Sequence, residues 1–458
     1  MLTWWHYLVS FFVALVATAL LVPVVRAFAI RRGIVDEPGG RRVNKTAVPR
    51  MGGVAMFFGV LVAVAVEYIC DAAGVWTGPI VAGGVFNGQL VGVLAGLACV
   101  TLVGVADDVR SLPPWVKFAG QVAAACIIAF TGTLLSNFKL PFTNTVVGLG
   151  MWAYPITIVY LVAFANIINL IDGLDGLAAG ITGISALSLF VLTVGLMRND
   201  AALVAIILVG ICVGFLFYNF NPASIFMGDS GSLLIGMMLG VVSLLGATRF
   251  SSITALAVPI VIAGVPVIDT FSAIIRRVRG HQRIDQPDAG HIHHRLLRRG
   301  FTQRKAVLVI YAWTAVLCVG ATLLWNTEGA LKYGLLLALL VASALIIHYL
   351  GLFGPVLQHT KADAPRGSGG ADAPRTGGGA GTGADAARGD AGAARGKAGA
   401  GGETGGEAEA EAEAGRAAAG GGGTGAEEAA AGDGGAGAGG ENGAADEAAA
   451  GPHGAHAR

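Results

Sequence analysis

Residues 153–176 read Ala-Tyr-Pro-Ile-Thr-Ile-Val-Tyr-Leu-Val-Ala-Phe-Ala-Asn-Ile-Ile-Asn-Leu-Ile-Asp-Gly-Leu-Asp-Gly. The stretch starts as a largely apolar run and then turns polar at every third position, at Asn166, Asn169, Asp172 and Asp175. Spacing of three puts neighbours on one helical face. A polar stripe therefore emerges from the end of an apolar helix and runs into Gly173 and Gly176, which permit tight backbone approach to a ligand. Amides and carboxylates together suit a hydroxylated or nucleoside ligand, or a hard cation. The alternative is an interhelical hydrogen-bond ladder.

The rest of the chain fits a helix of this kind embedded in lipid. Of 458 residues, 54% are hydrophobic and 13% charged, whereas soluble domains carry roughly 25% charged residues. Mean hydropathy is +0.68. These values exclude a water-soluble globular enzyme, a coiled coil and a nucleic-acid binder, and leave an all-α polytopic membrane protein. Charge is unevenly spread. Residues 359–458 are mostly Gly and Ala, with 8 basic and 15 acidic residues, leaving 22 basic and 14 acidic in 1–358. The expectation is an integral membrane domain over 1–358 and a disordered low-complexity tail over 359–458, too poor in large apolar residues to offset the entropy of folding. Cys70, Cys99, Cys126, Cys212 and Cys318 lie in or beside apolar runs without a C-x-x-C pair and read as packing residues.

A bilayer core needs about 20 apolar residues per helix. Eleven candidate spans are predicted, at 5–26, 52–70, 88–106, 115–132, 147–167, 177–197, 201–219, 231–247, 253–273, 306–325 and 331–350. Basic residues crowd after the first span (Arg26 to Arg50) and after the ninth (Arg276 to Lys305). The positive-inside rule puts both loops in the cytoplasm. The N-terminus is then outside and the tail cytoplasmic. Loops 27–51, 107–114, 168–176, 220–230 and 274–305 share the inner face and hold the polar motifs. Glu67, late in the second span, reads as an outer-edge polar residue.

Each inner loop carries residues suited to chemistry. Asp107 and Asp108 end an apolar span. Adjacent carboxylates repel unless a cation lies beside them, which points to metal ligation or proton abstraction rather than a solvated helix end. Asn219-Phe-Asn-Pro ends the seventh span, and Phe226-Met-Gly-Asp-Ser-Gly-Ser232 opens the eighth. Asp229 or Ser230 could be a plain N-cap. The functional reading is a Mg²⁺ carboxylate beside amides that favour phosphate. His291-Ile-His293-His294-Arg295 lies within a basic loop. Three histidines could bind zinc or copper, but no Cys accompanies them, and a His/Arg cluster can instead clamp a diphosphate or a lipid headgroup. Lys45 to Gly53 adds cations and a glycine pair. Carboxylates, amides, cations and glycines at one membrane face suit transfer between a lipid phosphate and a nucleotide-linked group, because phosphoryl chemistry needs charge neutralisation and positioning.

With these motifs in order (Lys45…Pro-Arg-Met-Gly-Gly, Asp107-Asp108, Asn166-x-x-Asn169-x-x-Asp172-Gly-x-Asp175-Gly, Phe226-x-Gly-Asp229-x-Gly-Ser, His291-x-His293-His294), residues 5–325 resemble the polyprenyl-phosphate N-acetylhexosamine-1-phosphate transferases of glycosyltransferase family 4. The H-x-H-H form followed by Arg295-Leu296 is most similar to the undecaprenyl-phosphate N-acetylglucosaminyl 1-phosphate transferase branch. The stretch 280–290 departs from the family in lacking a Ser-Pro-Phe-like segment.

The resemblance implies a multi-pass enzyme of the plasma membrane with its site on the cytoplasmic face. It would move N-acetylglucosamine 1-phosphate from UDP-N-acetylglucosamine to an undecaprenyl or decaprenyl phosphate, release UMP and start a cell-envelope glycan. Carried over by residue, Asn169 and Asp229 would ligate Mg²⁺, with Mn²⁺ as a substitute. Asp107 or Asp108 would be the base that readies the lipid phosphate. Asp172, Gly173, Asp175, Asn219 and Phe226 would form the nucleoside pocket. Lys45, Arg295, His291, His293 and His294 would hold phosphates or the N-acetylsugar, the histidines as part of the catalytic set. Expected partners are a UDP-sugar, the lipid phosphate, the membrane and, compatibly, a second copy, with no nucleic acid. Within this class the alternative is a phospho-N-acetylmuramoyl-pentapeptide transferase. Outside it stands a nucleotide-sugar or cation transporter. Transporters place polar residues near the midplane and often show internal repeats, whereas here the carboxylates sit at span ends.

Overall fold

The computed structural model of the protein describes residues 5–37, 47–76, 81–82, 85–86, 88–139, 145–247, 261–279, 290–327 and 329–352. Lys45 and the expected tail 359–458 lie outside them. The chain divides into two units, Met1–Arg366 and Gly367–Arg458; the following concerns the first.

Twelve helices of seven residues or more follow one another among the described residues. They are α1 (Trp5–Arg31), α2 (Gly52–Ala72), α3 (Gly88–Arg110), α4 (Pro114–Phe130), α5 (Ala153–Ile171), α6 (Leu177–Gly195), α7 (Asn199–Asn219), α8 (Gly228–Ala247), α9 (Gly264–Arg279), α10 (Ile292–Arg298), α11 (Gln303–Asn326) and α12 (Gly329–Leu350). Three short antiparallel strand pairs interrupt them. The pair β1 (Val35–Asp36) with β2 (Val48–Pro49) leads into α2.

Among the described residues nine helices are long and apolar enough to cross a membrane, with the 17-residue α4 shorter. The protein is thus a multi-pass membrane protein. The ninth span expected over 253–273 lies partly outside the described residues. Residues 253–260 lie outside the described set, a helix ends at Ile262, and α9 starts afresh at Gly264 and runs on to Arg279. Pro266 explains the restart, since proline fits the first turn of a helix and breaks one that passes through it. The last turn of α9 carries Arg276, Arg277 and Arg279, which take it out of an apolar span.

Lipid removes the hydrophobic drive between helices, so association rests on close packing. The central pair shows this: 78% of the spanning window of α7 and 89% of that of α8 are buried, against 6% for α12. Gly210 and Gly214, four apart on α7, lie against the backbone of α1. A Cβ at these positions would stand 2.6 Å from the Phe11 carbonyl oxygen and 2.5 Å from that of Leu15. Glu67 lies near the end of α2, as expected, but packed inside the protein. It is fully buried, and it accepts from Ser10 Oγ and from Trp76 Nε1 (3.0 Å). The cysteines are free, with Cys212 and Cys318 buried, as their apolar surroundings suggested.

Candidate active site

The site is organised around the first turn of α8. A helix N-terminus leaves backbone N–H groups without intrahelical partners. Asp108, at the end of α3, takes them from across the bundle. Its carboxylate accepts from Asp229 N (2.8 Å), Ser230 N (3.2 Å) and Ser230 Oγ (2.7 Å). The expected cap at Asp229 or Ser230 is therefore supplied by another helix. Gly228 makes room for it: its φ is +71°, and a Cβ there would lie 2.4 Å from Asp108 Oδ2. The glycine pair of the Lys45–Gly53 motif has a related purpose. Gly52 N and Gly53 N donate to the Phe226 and Met227 carbonyls (both 3.0 Å). A Cβ on Gly53 would come within 2.0 Å of Gly231 N. Two motifs far apart in sequence thus form one backbone-to-backbone joint that fixes Asp229.

The stripe on α5 meets that joint. Asn169 Nδ2 donates to Asp229 Oδ1 (3.1 Å) and to Ser232 Oγ (2.8 Å). The Lys117 ammonium, from the first turn of α4, lies against Asp229 Oδ2 and 3.5 Å from Asp107 Oδ2. Asp107 Oδ1 accepts from Leu112 N (2.9 Å). Asn166 instead turns into the bundle, donating to Gln121 and to the Val162 carbonyl. Beyond Ile171 the chain leaves the helix, and Asn219 secures the loop. It accepts from Gly176 N (2.9 Å) and donates to the Ile225 carbonyl (2.9 Å). Asp175 Oδ2 accepts from Asn221 Nδ2 (2.8 Å) and Ala223 N (3.1 Å).

These loops enclose a cavity of about 310 Å³. Asn169, Asp172, Gly173, Asp175, Asn219, Phe226 and Asp229 line it, joined by His293 and His294. Asp36, Arg50 and Gln303 complete the polar wall. Asp36 and Arg50 form an ion pair carried by the β1–β2 hairpin. Carboxylates therefore outnumber the arginine on the wall. Burial, added to the charges of Asp108 and Asp175, lifts the Asp172 pKa to about 7, with Arg50 pulling the other way.

The histidines arrive on the short helix α10. His293 is buried, and its ring fills the space a Gly173 Cβ would need, 2.5 Å from Nε2. Burial and the neighbouring His294 push its pKa down to about 3 against the pull of Asp269, so it faces the cavity as a neutral ring. His291 does not reach the cavity wall. Its Nδ1 bonds Asp269 Oδ2 (2.9 Å). Arg295 also points elsewhere: Nε donates to the Gly290 carbonyl (2.9 Å) and Nη1 to that of Gly351 (2.5 Å). Arg276 donates to the Leu352 carbonyl (2.6 Å), and Arg299 to that of Tyr349. These arginines hold the last carbonyls of α12, the end of a helix that attracts cations.

The structure thus gathers Asn169, Asp172, Gly173, Asp175, Asn219, Phe226, Asp229, His293 and His294 around one space. It sets Asp107, Asp108 and His291 behind the wall and Arg295 against α12. Sequence reasoning missed Asp36, Lys117, Asp269 and Gln303. Lys117 had a signal: the Asp107-Asp108 pair calls for a cation, and Lys117 is the next lysine after it. Asp36, beside Glu37, and Asp269, alone in an apolar stretch, had none, since their partners are chosen by tertiary contact.

Comparison with known proteins agrees with this geometry. Residues 90–247 match glycosyl transferase family 4. The probable undecaprenyl-phosphate N-acetylglucosaminyl 1-phosphate transferase of Bacillus subtilis is 37% identical over 344 residues, 75% of this chain and 92% of that protein. The decaprenyl-phosphate N-acetylglucosaminephosphotransferase of Mycobacterium tuberculosis is 36% identical over 329 residues, 67% of this chain and 80% of that protein. The phospho-N-acetylmuramoyl-pentapeptide-transferase of Desulforudis audaxviator is 32% identical over 336 residues, 68% of this chain and 94% of that protein. With relatives matched over most of their length and a polar cavity assembled from the motifs they share a region with, the chain belongs to glycosyl transferase family 4.

Proposed function

We propose that the protein transfers N-acetylglucosamine 1-phosphate from UDP-N-acetylglucosamine to a polyprenyl phosphate and releases UMP. The net change is one phosphorus–oxygen bond for another. A lipid phosphate oxygen bonds the sugar-linked phosphorus, and that phosphorus parts from the oxygen that leaves with UMP. The observation that carries the reading is the meeting of Asn169, Asp229, Gly173 and His293 in one cavity at the end of the bundle. The name of the relative identical at 37% points to the same transferred group and acceptor class.

The donor set fits a hard divalent cation. Asn169, Asp172 and Asp229 line the cavity as oxygen-bearing side chains, and Mg²⁺ would take the place at Asp229 that the Lys117 ammonium holds. In this proposal Asn169 and Asp229 hold the ion, which when bound neutralises diphosphate oxygens. Asp172, Asp175 and Phe226 border the nucleoside. Arg50 lies on the wall as a cation for phosphate. Asp108 spends both oxygens on the α8 amides and Ser230. Asp107 likewise accepts from Leu112 N at Oδ1 and faces Lys117 at Oδ2, so either aspartate would have to exchange one of these contacts to accept a proton from the lipid phosphate. His293, neutral, offers hydrogen bonds rather than charge.

The arginines of α9 and α10 stand near the cavity end, and the positive-inside rule favours that end for the cytoplasm. Helix α1 would then begin on the outer side and α12 end on the inner side. The test uses membranes bearing the protein, Mg²⁺, radiolabelled UDP-N-acetylglucosamine and a polyprenyl phosphate. A labelled lipid diphosphate with stoichiometric UMP supports the reading. A lipid product formed only from UDP-N-acetylmuramoyl-pentapeptide replaces it with the related activity.

A further inference from the structure

We propose that Asp269 is a positioning residue for this reaction, holding His291 in its Nδ1–H tautomer and pinning the histidine helix α10 against the cavity. The proposal rests on the reading of the cavity as the transfer site. Asp269 lies in the second turn of α9 and is 1% exposed. A carboxylate buried this deeply is costly unless its oxygens are satisfied. Both oxygens are satisfied by one neighbouring segment. Oδ1 accepts from Ile292 N (2.8 Å) and Oδ2 is bonded to His291 Nδ1 (2.9 Å).

Two consequences follow from donor chemistry. A carboxylate oxygen facing Nδ1 accepts from it, which puts the ring proton of the proposed tautomer at Nδ1 and leaves Nε2 as the acceptor nitrogen. The Ile292 amide is the first of α10, one of the donors that a helix leaves unpaired at its start. The His291 side chain does not cap α10 itself. Asp269 therefore fixes both the ring and the helix turn that follows it.

The constraint passes onward by contact. The His291 ring stacks nearly parallel on that of His293, with centroids 5.7 Å apart and planes 8° apart. His293 in turn packs its Nε2 edge where a side chain on Gly173 would have to be. His294 stands 4.3 Å from His293, centroid to centroid, and also lines the cavity. Asp269, His291, His293 and Gly173 thus form an unbroken line from α9 to the cavity wall. Partners that orient a histidine from behind typically change activity about 10–100-fold when removed.

The experiment uses full-length protein labelled with ¹⁵N-histidine in lipid bilayers, with His291→Gln to assign the His291 signals. The expected wild-type spectrum shows His291 protonated at Nδ1. Asp269→Asn still offers an oxygen to Ile292 N but presents an amide donor to the ring, so it should move the proton to Nε2. Asp269→Glu should keep it at Nδ1. Transfer rates are measured on the same samples. Asp269→Asn should lower kcat about 10–100-fold while KM for UDP-N-acetylglucosamine changes less than about threefold, and Asp269→Glu should recover part of the loss. A wild-type His291 protonated at Nε2 alone, or a tautomer indifferent to Asp269→Asn, would overturn the proposal, as would a tautomer switch with unchanged kcat. A wild-type protein that transfers no sugar phosphate counts against the proposed function, while the nitrogen shifts still decide the tautomer.

Discussion

Helix α2 carries a buried polar cluster at each end, and the two clusters differ in what they face. At its start, Gly52 and Gly53 grip the α8 joint that presents Asp229 to a cavity. Near its other end, Glu67 is fully buried against Ser10, Trp76 and His6, whose Nδ1 is 3.6 Å away. Both ends bury carboxylates on helices that cross the membrane. Glu67 spends its oxygens on protein donors and ties α1 to α2. The carboxylates around Asp229 crowd together beside open space, with charge left over. Burial of an acid is thus common to a clasp and a site. What separates them is whether the surplus charge borders room for a ligand.

The comparison predicts effects of different kinds. Asp229→Ala should lower transfer about 10²–10³-fold, the scale of a lost electrostatic contact in a transition state, with the thermal midpoint little changed. Asp229→Asn keeps an oxygen ligand, so raising Mg²⁺ should recover part of the rate; initial rates against Mg²⁺ check both variants. Glu67→Ala should do the reverse. Leaving Ser10 and Trp76 without their acceptor costs about 1–3 kcal/mol, read as a lower midpoint in a thermal melt, while the rate per folded molecule stays normal. A catalytic loss at Glu67 that outran the loss of folded protein would erase the distinction.

A smaller effect concerns pH. With the Asp172 pKa raised to about 7, its carboxyl is mostly protonated below that value and ionised above it. If the charged form serves nucleotide or metal binding, kcat/KM for the UDP-sugar should rise as pH passes upward through about 7, and Asp172→Asn should flatten that limb. The same raised pKa means that ionising Asp172 weakens the fold as pH rises through 7, so Asp172→Asn should melt higher than the wild type at pH 8 without ligand. The smallest expected effect comes from the tail. Truncation after Leu357 keeps the Leu350–Leu352 carbonyls that Arg276 and Arg295 hold. Transfer by the truncated protein should stay within about twofold of the full chain, measured on protein correctly inserted in membranes.

How much of this was legible in the sequence depends on the range of each signal. The Asn169–Asp172 stripe is local, set by helical spacing and the glycines behind it, and its place on the cavity followed. The span limits were readable to within a few residues wherever apolar runs turn polar, as at Asp107 to Arg110 and at Asn219. The helix break at Ala263 was not, because apolar composition continues smoothly across it while Pro266 restarts the helix. Asp108 looked like a reactive group because its neighbour is another aspartate. Its partners, the α8 amides more than a hundred residues away, are a tertiary fact. Glu67 and Asp269 were hidden for the same reason. Each is a single acid in an apolar stretch, and only packing reveals that one ties two spans and the other orients a histidine.

The most direct test of the central claim compares the two ends of α2 in one assay. Asp229→Ala and Glu67→Ala proteins, matched for folded amount in membranes, are given radiolabelled UDP-N-acetylglucosamine, polyprenyl phosphate and Mg²⁺. Labelled lipid diphosphate from the wild type and Glu67→Ala, with almost none from Asp229→Ala, is the predicted result. Equal product from Asp229→Ala and the wild type, or no lipid product from any of the three, would contradict the assignment of the cavity as the site of sugar-phosphate transfer.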